Sequence, residues 1–479
     1  MSDSDIDTTA ISQQAGLFRS GPVLLVSSAA AMGGFLFGFD TAVINGAVAA
    51  IQKWSGVNDA LLGFSVASLL LGSALGAWFA GPLANSYGRL AVMKAAAVIF
   101  VISSFGSGLP WDIWSFTAFR FLGGLGVGAA SVIAPAYIAE VAPAGIRGRL
   151  GSLQQMAIVI GIFIALLSNY VLARAAGGAS EPWWLGLSTW RWMFILEAIP
   201  AVLYGLMAFA IPESPRYLVA KEHVAEAIEV IRAFIGNKPP AEVRVAEIRR
   251  SMSAEGKQSI ADLRGPLFGL LPVVWTGIFL SAFQQFVGIN VIFYYSSVLW
   301  QAVGFTEADS LEITVITSVT NIATTLVAIA LVDRIGRKPL LLVGSAGMAI
   351  SLGVMAYVFG SAPSQTVGGA SVPLLGHSEG LAAIIAANLY VVFFGMSWGP
   401  VVWVLLGEMF NNRIRAYALA LAAAAQWLAN FAVSQTFPAL AASGLGIAYG
   451  IYSTMALLSL LFVALAVKET RGRELEEMQ

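Results

Sequence analysis

Neutral hydrogen-bonding side chains are concentrated in one apolar stretch of the chain, residues 281–297, with the sequence SAFQQFVGINVIFYYSS. It contains Gln284, Gln285, Asn290 and Tyr294, within a segment that has no charge from position 273 to position 300. An amide that is buried without a partner costs ~2–7 kcal/mol, so these groups need neighbours or a ligand. Two interpretations are open: the amides join helices to one another, or they bind an uncharged polar solute.

The spacing of these amides predicts an interrupted helix. At ~100° per residue, Gln284, Asn290 and Tyr294 share one face of an ideal helix, whereas Gln285 lies about 100° away from Gln284. Gly288 lies between them and permits a bend or an unwound turn. Interrupted helices at membrane depth are tolerated where they line a cavity or pack against protein.

The composition is that of a polytopic membrane protein. Of 479 residues, 58% are hydrophobic and 11% are charged, compared with ~25% charged in soluble domains. Apolar stretches of about 20 residues, long enough to cross a bilayer, recur along nearly the whole chain. The lipid bilayer is therefore an expected partner, and a net charge of −1 gives no indication of nucleic-acid binding.

The reactive residue types are scarce. There is no Cys, and the only two His, His223 and His377, are far apart in polar segments. We therefore expect no disulfide, metal site, cofactor or catalytic triad, and no enzyme activity. The N-terminal residues are polar and acidic without a basic region, so the first apolar stretch is predicted to be a retained span.

Twelve spans in two sets of six are predicted, and the fold class is all-α. Their approximate limits are 22–50, 61–84, 90–109, 114–140, 150–173, 190–211, 267–300, 312–332, 339–360, 380–408, 414–440 and 445–467. The domains are then a tail (1–21), an N-terminal six-helix bundle (22–211), a linker with two amphipathic surface helices (212–265), a C-terminal six-helix bundle (266–467) and a second tail (468–479). Most of the 26 Lys and Arg lie on the side that contains the linker and both termini, which predicts that this side is cytoplasmic.

The two halves repeat each other. Glu140 and Arg147 have the same spacing as Glu408 and Arg415, and NSYGR at 85–89 corresponds to DRIGR at 333–337. PESPR at 212–216 corresponds to KETR at 468–471. Paired halves are typical of transporters, whose binding site lies between the repeats near the membrane midplane.

Together these motifs resemble the sugar porter family of the major facilitator superfamily, in particular its bacterial D-xylose/proton symporters and mammalian glucose facilitators. The motifs include GGFLFGFDTAVINGA (33–47), AEVAPAGIRGRLGSLQQ (139–155), PESPRYL (212–218), QQFVGIN (284–290) and WGPVVW (398–403). The resemblance covers nearly the whole chain. It implies a major facilitator fold, two pseudo-symmetric bundles that rock around a central sugar site.

The resemblance also implies a set of site residues. The sugar contacts would be Gln155, Gln284, Gln285, Asn290, Asn321, Trp403 and Gln426. The pocket would be shaped by Phe37, Ile162, Tyr294, Gly399 and Trp427. Amides that donate and accept, with aromatic rings over the apolar ring face, suit a monosaccharide.

Two departures from the family pattern affect these expectations. Ile162 stands where the xylose transporters have a second Gln, which weakens the expectation of pentose preference. The segment 85–90 lacks two of the usual Arg residues, so the contact between spans 2 and 3 is expected to be looser.

Three charged residues lie within predicted spans. Asp40 in span 1 and Arg120 in span 4 are expected to pair, and Glu197 lies in span 6. An intramembrane charge is a functional hypothesis by default. The glucose facilitators have a neutral Asn at the position of Asp40, so this residue favours proton coupling. The alternative is a static ion pair that fixes two helices.

Further charges lie at the cytoplasmic ends of the spans, and the resemblance implies that they close an inner gate. They are Arg89, Glu140, Arg147, Glu213, Arg216, Arg337, Glu408 and Arg415. Interfacial anchoring and control of topology would explain the same pattern.

We therefore expect a monomeric protein of the cytoplasmic membrane that takes up a monosaccharide, a hexose such as glucose or a pentose such as xylose, together with protons. The alternatives are a facilitative uniporter and a sugar sensor that does not transport.

Overall fold

The computed structural model describes residues 21–142, 147–235, 240–254, 260–367, 370–410 and 414–470. Twelve helical spans in this part are long and apolar enough to cross a membrane. In chain order they are Val23–Gly46, Asp59–Tyr87, Arg89–Gly108, Ile113–Val141, Leu153–Ala176, Thr189–Ala210, Pro272–Ala302, Glu307–Val332, Arg337–Ser361, His377–Met409, Tyr417–Ser443 and Leu445–Ala466. The prediction of twelve spans is confirmed, and the spans are numbered in this order below.

Three spans are interrupted. Span 7 consists of the helices Pro272–Phe286 and Ile289–Ala302, so the predicted break at Gly288 is confirmed. Span 6 is divided into Thr189–Ile195 and Ala198–Ala210, and a π-helical turn, Phe394–Trp398, interrupts span 10. The last two breaks were not predicted.

The segments between the spans add short elements. Helices Val48–Ser55, Pro215–Ala220, Val224–Val230 and Ala241–Ala254 lie outside the spans, and the last two correspond to the predicted amphipathic linker helices. Strands β1 (Ser364–Val367) and β2 (Ala370–Pro373) form an antiparallel pair between spans 9 and 10, which the all-α prediction lacked.

The ends of the spans follow from local chemistry. The side chain of Asn58 accepts a hydrogen bond from Leu61 N (2.9 Å) at the start of span 2. Asp112 and Ser115 form a reciprocal capping box at the start of span 4. Such caps satisfy backbone N–H groups that have no partner within the helix.

Each span with an odd number starts on the side of the molecule that contains the linker, here called the linker face, and ends on the opposite side, the far face. Both described chain ends therefore lie at the linker face. Spans 1 and 5 of the N-terminal half pack backbone against backbone, since a Cβ atom at Gly38 would collide with the carbonyl of Ile158.

The two halves are joined by hydrogen bonds at the far face. Asn45, at the end of span 1, donates to Phe293 O (3.0 Å) and to Ser296 Oγ (2.9 Å) in span 7. Asn45 also accepts from Ser297, through its side chain and its carbonyl. Ala179 N donates to Glu307 Oε1 (2.7 Å). The hydrogen bonds between two described residues that connect the halves lie on this side, so the far face is closed.

We expect Gly288→Ala to destabilise the protein. Gly288 has φ +86°, and a Cβ atom there would lie 2.9 Å from the ring of Tyr452. A left-handed conformation costs a residue with a Cβ atom about 1–2 kcal/mol, and the steric contact adds to that. The melting temperature in detergent should fall, whereas Gly450→Ala in span 12, where a Cβ would meet nothing within 4 Å, should leave it unchanged or raise it. Equal melting temperatures would contradict this account of the break.

We expect Asn45→Ala to open the far face. The native chain has no Cys, so spin labels on Lys53→Cys and Glu312→Cys, one in each half, report the distance across this face. Without the bonds from Asn45, the distance distribution should broaden toward longer values. Asn58→Ala removes a cap on the same face but no contact between the halves, and should leave the distribution unchanged. A native distribution in the Asn45 variant would exclude Asn45 from the closure.

Candidate functional site

The break in span 7 orders its amides into a hydrogen-bonded chain. Asn290 Nδ2 donates to Gln285 Oε1 (2.6 Å), and Gln285 Nε2 is 3.4 Å from Gln284 Oε1. Because the helix restarts after Gly288, Asn290 reaches Gln285, from which it would point about 140° away on a straight helix. Gln284 and Gln285 are buried, and Asn290 is half-buried. The predicted cluster therefore exists, with Asn290 at its accessible end.

The other end of this chain is fixed to span 10. Gln284 Nε2 donates to the carbonyls of Trp398 (2.8 Å) and Gly399 (3.2 Å), at the end of the π-helical turn. Asn321 of span 8 is buried next to the same turn, with its Oδ1 atom close to Gly395. Interruptions of this kind are frequent at functional sites. Gln284 thus ties span 7 to span 10, and Asn321 of span 8 packs against the same turn.

Other predicted site residues come from both halves. Gln155 and Ile162 in span 5 and Gln426 in span 11 are half-buried, and Gln426 Oε1 has no partner among the described residues. The ring of Phe37 in span 1 contacts the ring of Trp427 in span 11, with the centroids 5.6 Å apart.

Trp403 lies in the part of span 10 nearer the linker face and is 42% exposed. On helical spacing it shares a side of span 10 with Gly399 and Gly407, and a Cβ atom at Gly407 would meet nothing within 4 Å. This side of span 10 is therefore not covered by neighbouring spans at Trp403 and Gly407.

Tyr294 has a partner that was left out of the predicted site. Its side chain lies next to the amide of Asn430 in span 11, and Ser434 Oγ donates to Asn430 Oδ1 (3.2 Å). Asn430 is four residues after Gln426, hence on the same side of the helix. This spacing was a signal that could have identified Asn430 from the sequence.

Gln154 is a second residue that the sequence analysis missed. It is only 8% exposed, and both atoms of its amide lack a partner among the described residues. Its side chain lies against Gly34 of span 1, where a Cβ atom would be 2.8 Å away. A buried amide without partners is costly, and this one is adjacent in sequence to the predicted sugar contact Gln155.

The predicted contact between Asp40 and Arg120 is confirmed. Arg120 Nη1 donates to Asp40 Oδ1, and Nη2 donates to the Asp40 carbonyl (3.1 Å). Both side chains are almost completely buried, and so is Glu197, which interacts electrostatically with both. Asp40 Oδ2 and Glu197 Oε1 lack hydrogen-bond partners among the described residues. The cluster contains one cation and two acidic groups, so its net charge is zero when one of the two acids carries a proton.

The charges at the linker face of the N-terminal half form a compact network. Arg89 donates to both carboxylate oxygens of Glu140, at 2.9 and 2.7 Å. Glu213 accepts from the backbone N atoms of Arg89 and Leu90, each at 3.1 Å, and caps span 3. Ser214 Oγ donates to Glu140 (2.5 Å).

The C-terminal half repeats this network bond for bond. Arg337 donates to both oxygens of Glu408, at 3.0 and 2.7 Å. Glu469 accepts from the backbone N atoms of Arg337 (3.0 Å) and Lys338 (2.9 Å), and Thr470 Oγ1 donates to Glu408 (2.5 Å). Glu469 and Thr470 were missing from the predicted site, although the match between PESPR and KETR contained the signal.

The remaining three predicted gate residues are Arg147, Arg216 and Arg415. The side chain of Arg147 is outside the described part of the chain. Arg415 Nε donates to Phe410 O (3.2 Å), within its own half. Arg216 has an interaction, and it follows Ser214 and Pro215 at the first linker helix. Two ion pairs of described residues at the linker face, Arg89 with Glu140 and Arg337 with Glu408, each lie within one half.

The arrangement is suited to binding and conformational change. Neutral amides and aromatic rings from both halves lie within the spans, several of them half-buried, and a buried acid–base cluster lies in the N-terminal half. In the described part of the chain, no group of three or more His, Cys, Asp or Glu could hold a metal ion.

Comparisons with known proteins agree with this architecture. The sequence profile of the family described as "Sugar (and other) transporter" matches residues 26–479. The "Glucose transport protein" of Synechocystis sp. is 60% identical over 458 residues, which are 95% of this chain and 97% of that protein. The "D-xylose-proton symporter" of Escherichia coli strain K12 is 39% identical over 498 residues, with 96% of each chain covered.

Among solved structures, the inward open conformation of the E. coli xylose transporter is similar, with a TM-score of 0.79 and 38% identity over 95% of this chain and 99% of that one. The family match, the twelve spans and this similarity identify a membrane transporter rather than an enzyme. The chain belongs to the sugar transporter family and has the fold of the major facilitator superfamily.

Proposed function

We propose that this protein is a proton-coupled importer of D-glucose or a closely similar hexose. Residues 22–211 and 266–467 would move as two units, and residues 212–265 would connect them at the cytoplasmic side. The observation that carries the proposal is the fully buried pair of Asp40 and Arg120 next to Glu197. Burying charged groups in a membrane costs free energy, so a cluster of this kind indicates a function. The function proposed here is the uptake and release of a proton.

The amide cluster supports a monosaccharide as the substrate. Asn290, Gln155 and Gln426 present amides at the accessible region, and Trp403 and Trp427 provide rings. Gln284 holds span 7 against span 10, and Gln284, Gln285 and Asn321 could turn toward a bound sugar. A site that pairs each hydroxyl of a sugar rejects analogues that lack one, because its own polar groups are then unpaired.

Two observations favour a hexose. The relative with 60% identity is named a glucose transport protein. In addition, Ile162 is half-buried beside span 1 and offers methyl groups where the xylose transporters have an amide. Asp40 supports symport, and the relative with 39% identity is named a D-xylose-proton symporter.

The coupling mechanism follows from the charge on Asp40. While ionised, Asp40 attracts Arg120 and ties span 1 to span 4. When protonated, it loses most of that attraction, so span 1 can move together with Asn45 and Phe37, which contact the C-terminal half. A membrane potential contributes ~2.3 kcal/mol per 100 mV for each transferred charge, about a 50-fold accumulation.

The present conformation would be one state of the transport cycle. With the far face closed and Trp403 accessible from the linker side, the site would face the cytoplasm. The ion-pair networks of the two halves at the linker face would approach each other when this side closes. Assigning the linker face to the cytoplasm rests on its excess of Lys and Arg.

We expect Asn290→Ala to weaken sugar binding. The variant removes an amide at the accessible end of the chain and leaves Gln285 Oε1 without its donor. A lost hydrogen bond with an unpaired partner costs ~1–3 kcal/mol, so the Kd for D-glucose should rise about 5- to 150-fold. Isothermal titration of the purified protein measures this. The control variant Gln301→Ala, at the far-face end of span 7, should bind D-glucose with native affinity. If both variants bind with native affinity, Asn290 does not belong to the sugar site.

We expect Asp40→Asn to abolish accumulation but to retain downhill exchange. The amide is nearly isosteric with the carboxylate but cannot take up and release a proton, and a gradient biases only states that differ in proton occupancy. Uptake of labelled D-glucose into proteoliposomes, with and without an imposed pH gradient, checks this. Glu312 is an exposed acid at the far-face end of span 8. The control variant Glu312→Gln should therefore accumulate sugar as the native protein does.

Each other outcome of this experiment identifies an alternative. Accumulation by the Asp40 variant driven by the pH gradient would refute its role in coupling. A native protein that equilibrates sugar without accumulation would be a uniporter, and one that binds without any uptake would be a sensor. Loss of all binding in the variant would mean that Asp40 serves only to hold spans 1 and 4 together.

A further inference from the structure

A strained and apolar turn precedes span 7 at the linker face. Leu267 and Leu270 pair across a two-residue turn, with Leu270 N donating to Leu267 O (3.0 Å). The turn residues are Phe268 at φ +47° and Gly269 at φ +84°. Glycine adopts such angles readily, but they are costly for an aromatic residue, and Asn or Asp is the usual choice at that position.

The strained residue is also the most exposed of the large apolar side chains in the described chain. Phe268 is 90% exposed, and Leu267 next to it is 44% exposed. Neither the backbone geometry nor packing within the protein explains an aromatic residue here. An environment outside the protein must therefore favour it.

The position of the turn indicates what that environment is. Trp275 Nε1 donates to Leu267 O (2.8 Å), so the turn is fixed to the side of span 7 on which Trp275 lies. The ring of Trp275 contacts that of Phe279 at 5.8 Å, and Phe279 is 46% exposed and contacts Phe462 of span 12 at 6.0 Å. This apolar and exposed side of spans 7 and 12 faces lipid. On helical spacing, the amide Gln284 lies about 140° away from Phe279.

The turn therefore continues the lipid-facing surface at the level where span 7 begins, at Pro272. Arg264, which is exposed, lies three residues before Leu267, the first residue of the turn. Aromatic side chains and Arg are favoured at the boundary between acyl chains and headgroups, where rings are buried and guanidinium groups meet phosphates. A protein partner would need a surface that faces the bilayer rather than the solvent at this point.

We propose that the turn formed by Leu267 and Phe268 inserts into the lipid interface at the linker face, with Arg264 bound to lipid phosphate, and anchors the linker to the membrane. The anchor would hold the end of the linker at constant depth while the halves move. The inference is independent of which solute is transported.

Single-cysteine labelling tests this insertion, because the native chain has no Cys. An environment-sensitive NBD fluorophore on Phe268→Cys is compared in nanodiscs with the same label on Glu229→Cys, in an exposed part of the linker, and on Leu465→Cys, which is 87% exposed on span 12. We expect the label at 268 to resemble that at 465, with blue-shifted emission, protection from aqueous iodide and roughly two-fold or stronger quenching by lipids brominated near the headgroup.

Two results would overturn the proposal. A label at 268 that iodide quenches as readily as at 229 would place the turn in water. A label protected from iodide but unaffected by brominated lipids would mean that protein covers the turn, either a second copy of this chain or another segment of it.

Proteolysis gives a second measurement that requires no label. In nanodiscs, Phe268→Asn keeps a residue suited to the turn but removes the apolar anchor, so trypsin should cleave after Arg264 about three-fold faster or more. Phe268→Trp retains an interfacial aromatic residue and should be cleaved as slowly as the native protein. Equal cleavage rates for the two variants would contradict the anchor.

Discussion

The absence of water from the bilayer core is the constraint on which this structure depends, because every polar group there needs a partner within the protein. In span 7, the polar groups find partners in a chain of amides that runs from Asn290 through Gln285 and Gln284 to the carbonyls of span 10. Asn45 of the N-terminal half finds its partners in span 7 of the C-terminal half. The polar groups that lack partners among the described residues, such as Gln154 and Asp40 Oδ2, are then the ones with a reason to change partners.

The two halves resemble each other most in the ion-pair networks at the linker face, which hold the ends of the spans in each half together. At the linker face, Arg89, Glu140 and Glu213 make the same contacts as Arg337, Glu408 and Glu469. In both places a carboxylate caps the helix that begins the next span, while a bidentate ion pair fixes the end of its neighbour. Such networks allow each half to move as a unit instead of deforming.

The halves differ where the chemistry differs. The interrupted spans 7 and 10 and the chain of amides belong to the C-terminal half. The buried ion pair of Asp40 with Arg120 belongs to the N-terminal half. Span 1 connects the two, since it carries Asp40 and also Phe37 and Asn45, which contact the C-terminal half. If Asp40 takes up a proton as proposed, span 1 would couple that change to closure of the far face.

The sequence by itself determined the number of spans, the repeat, the break at Gly288 and the pair of Asp40 with Arg120. These follow from local hydrophobicity, from glycine and from the high energy of a lone charge in a membrane. Only the tertiary structure decided that Gln284 bonds to the backbone of span 10, that Asn430 meets Tyr294, and that Gln154 has no partner. It likewise decided that the far face is the closed one. Which buried amide meets which depends on how helices distant in sequence cross, and hydropathy and spacing along one chain contain no information about those crossings.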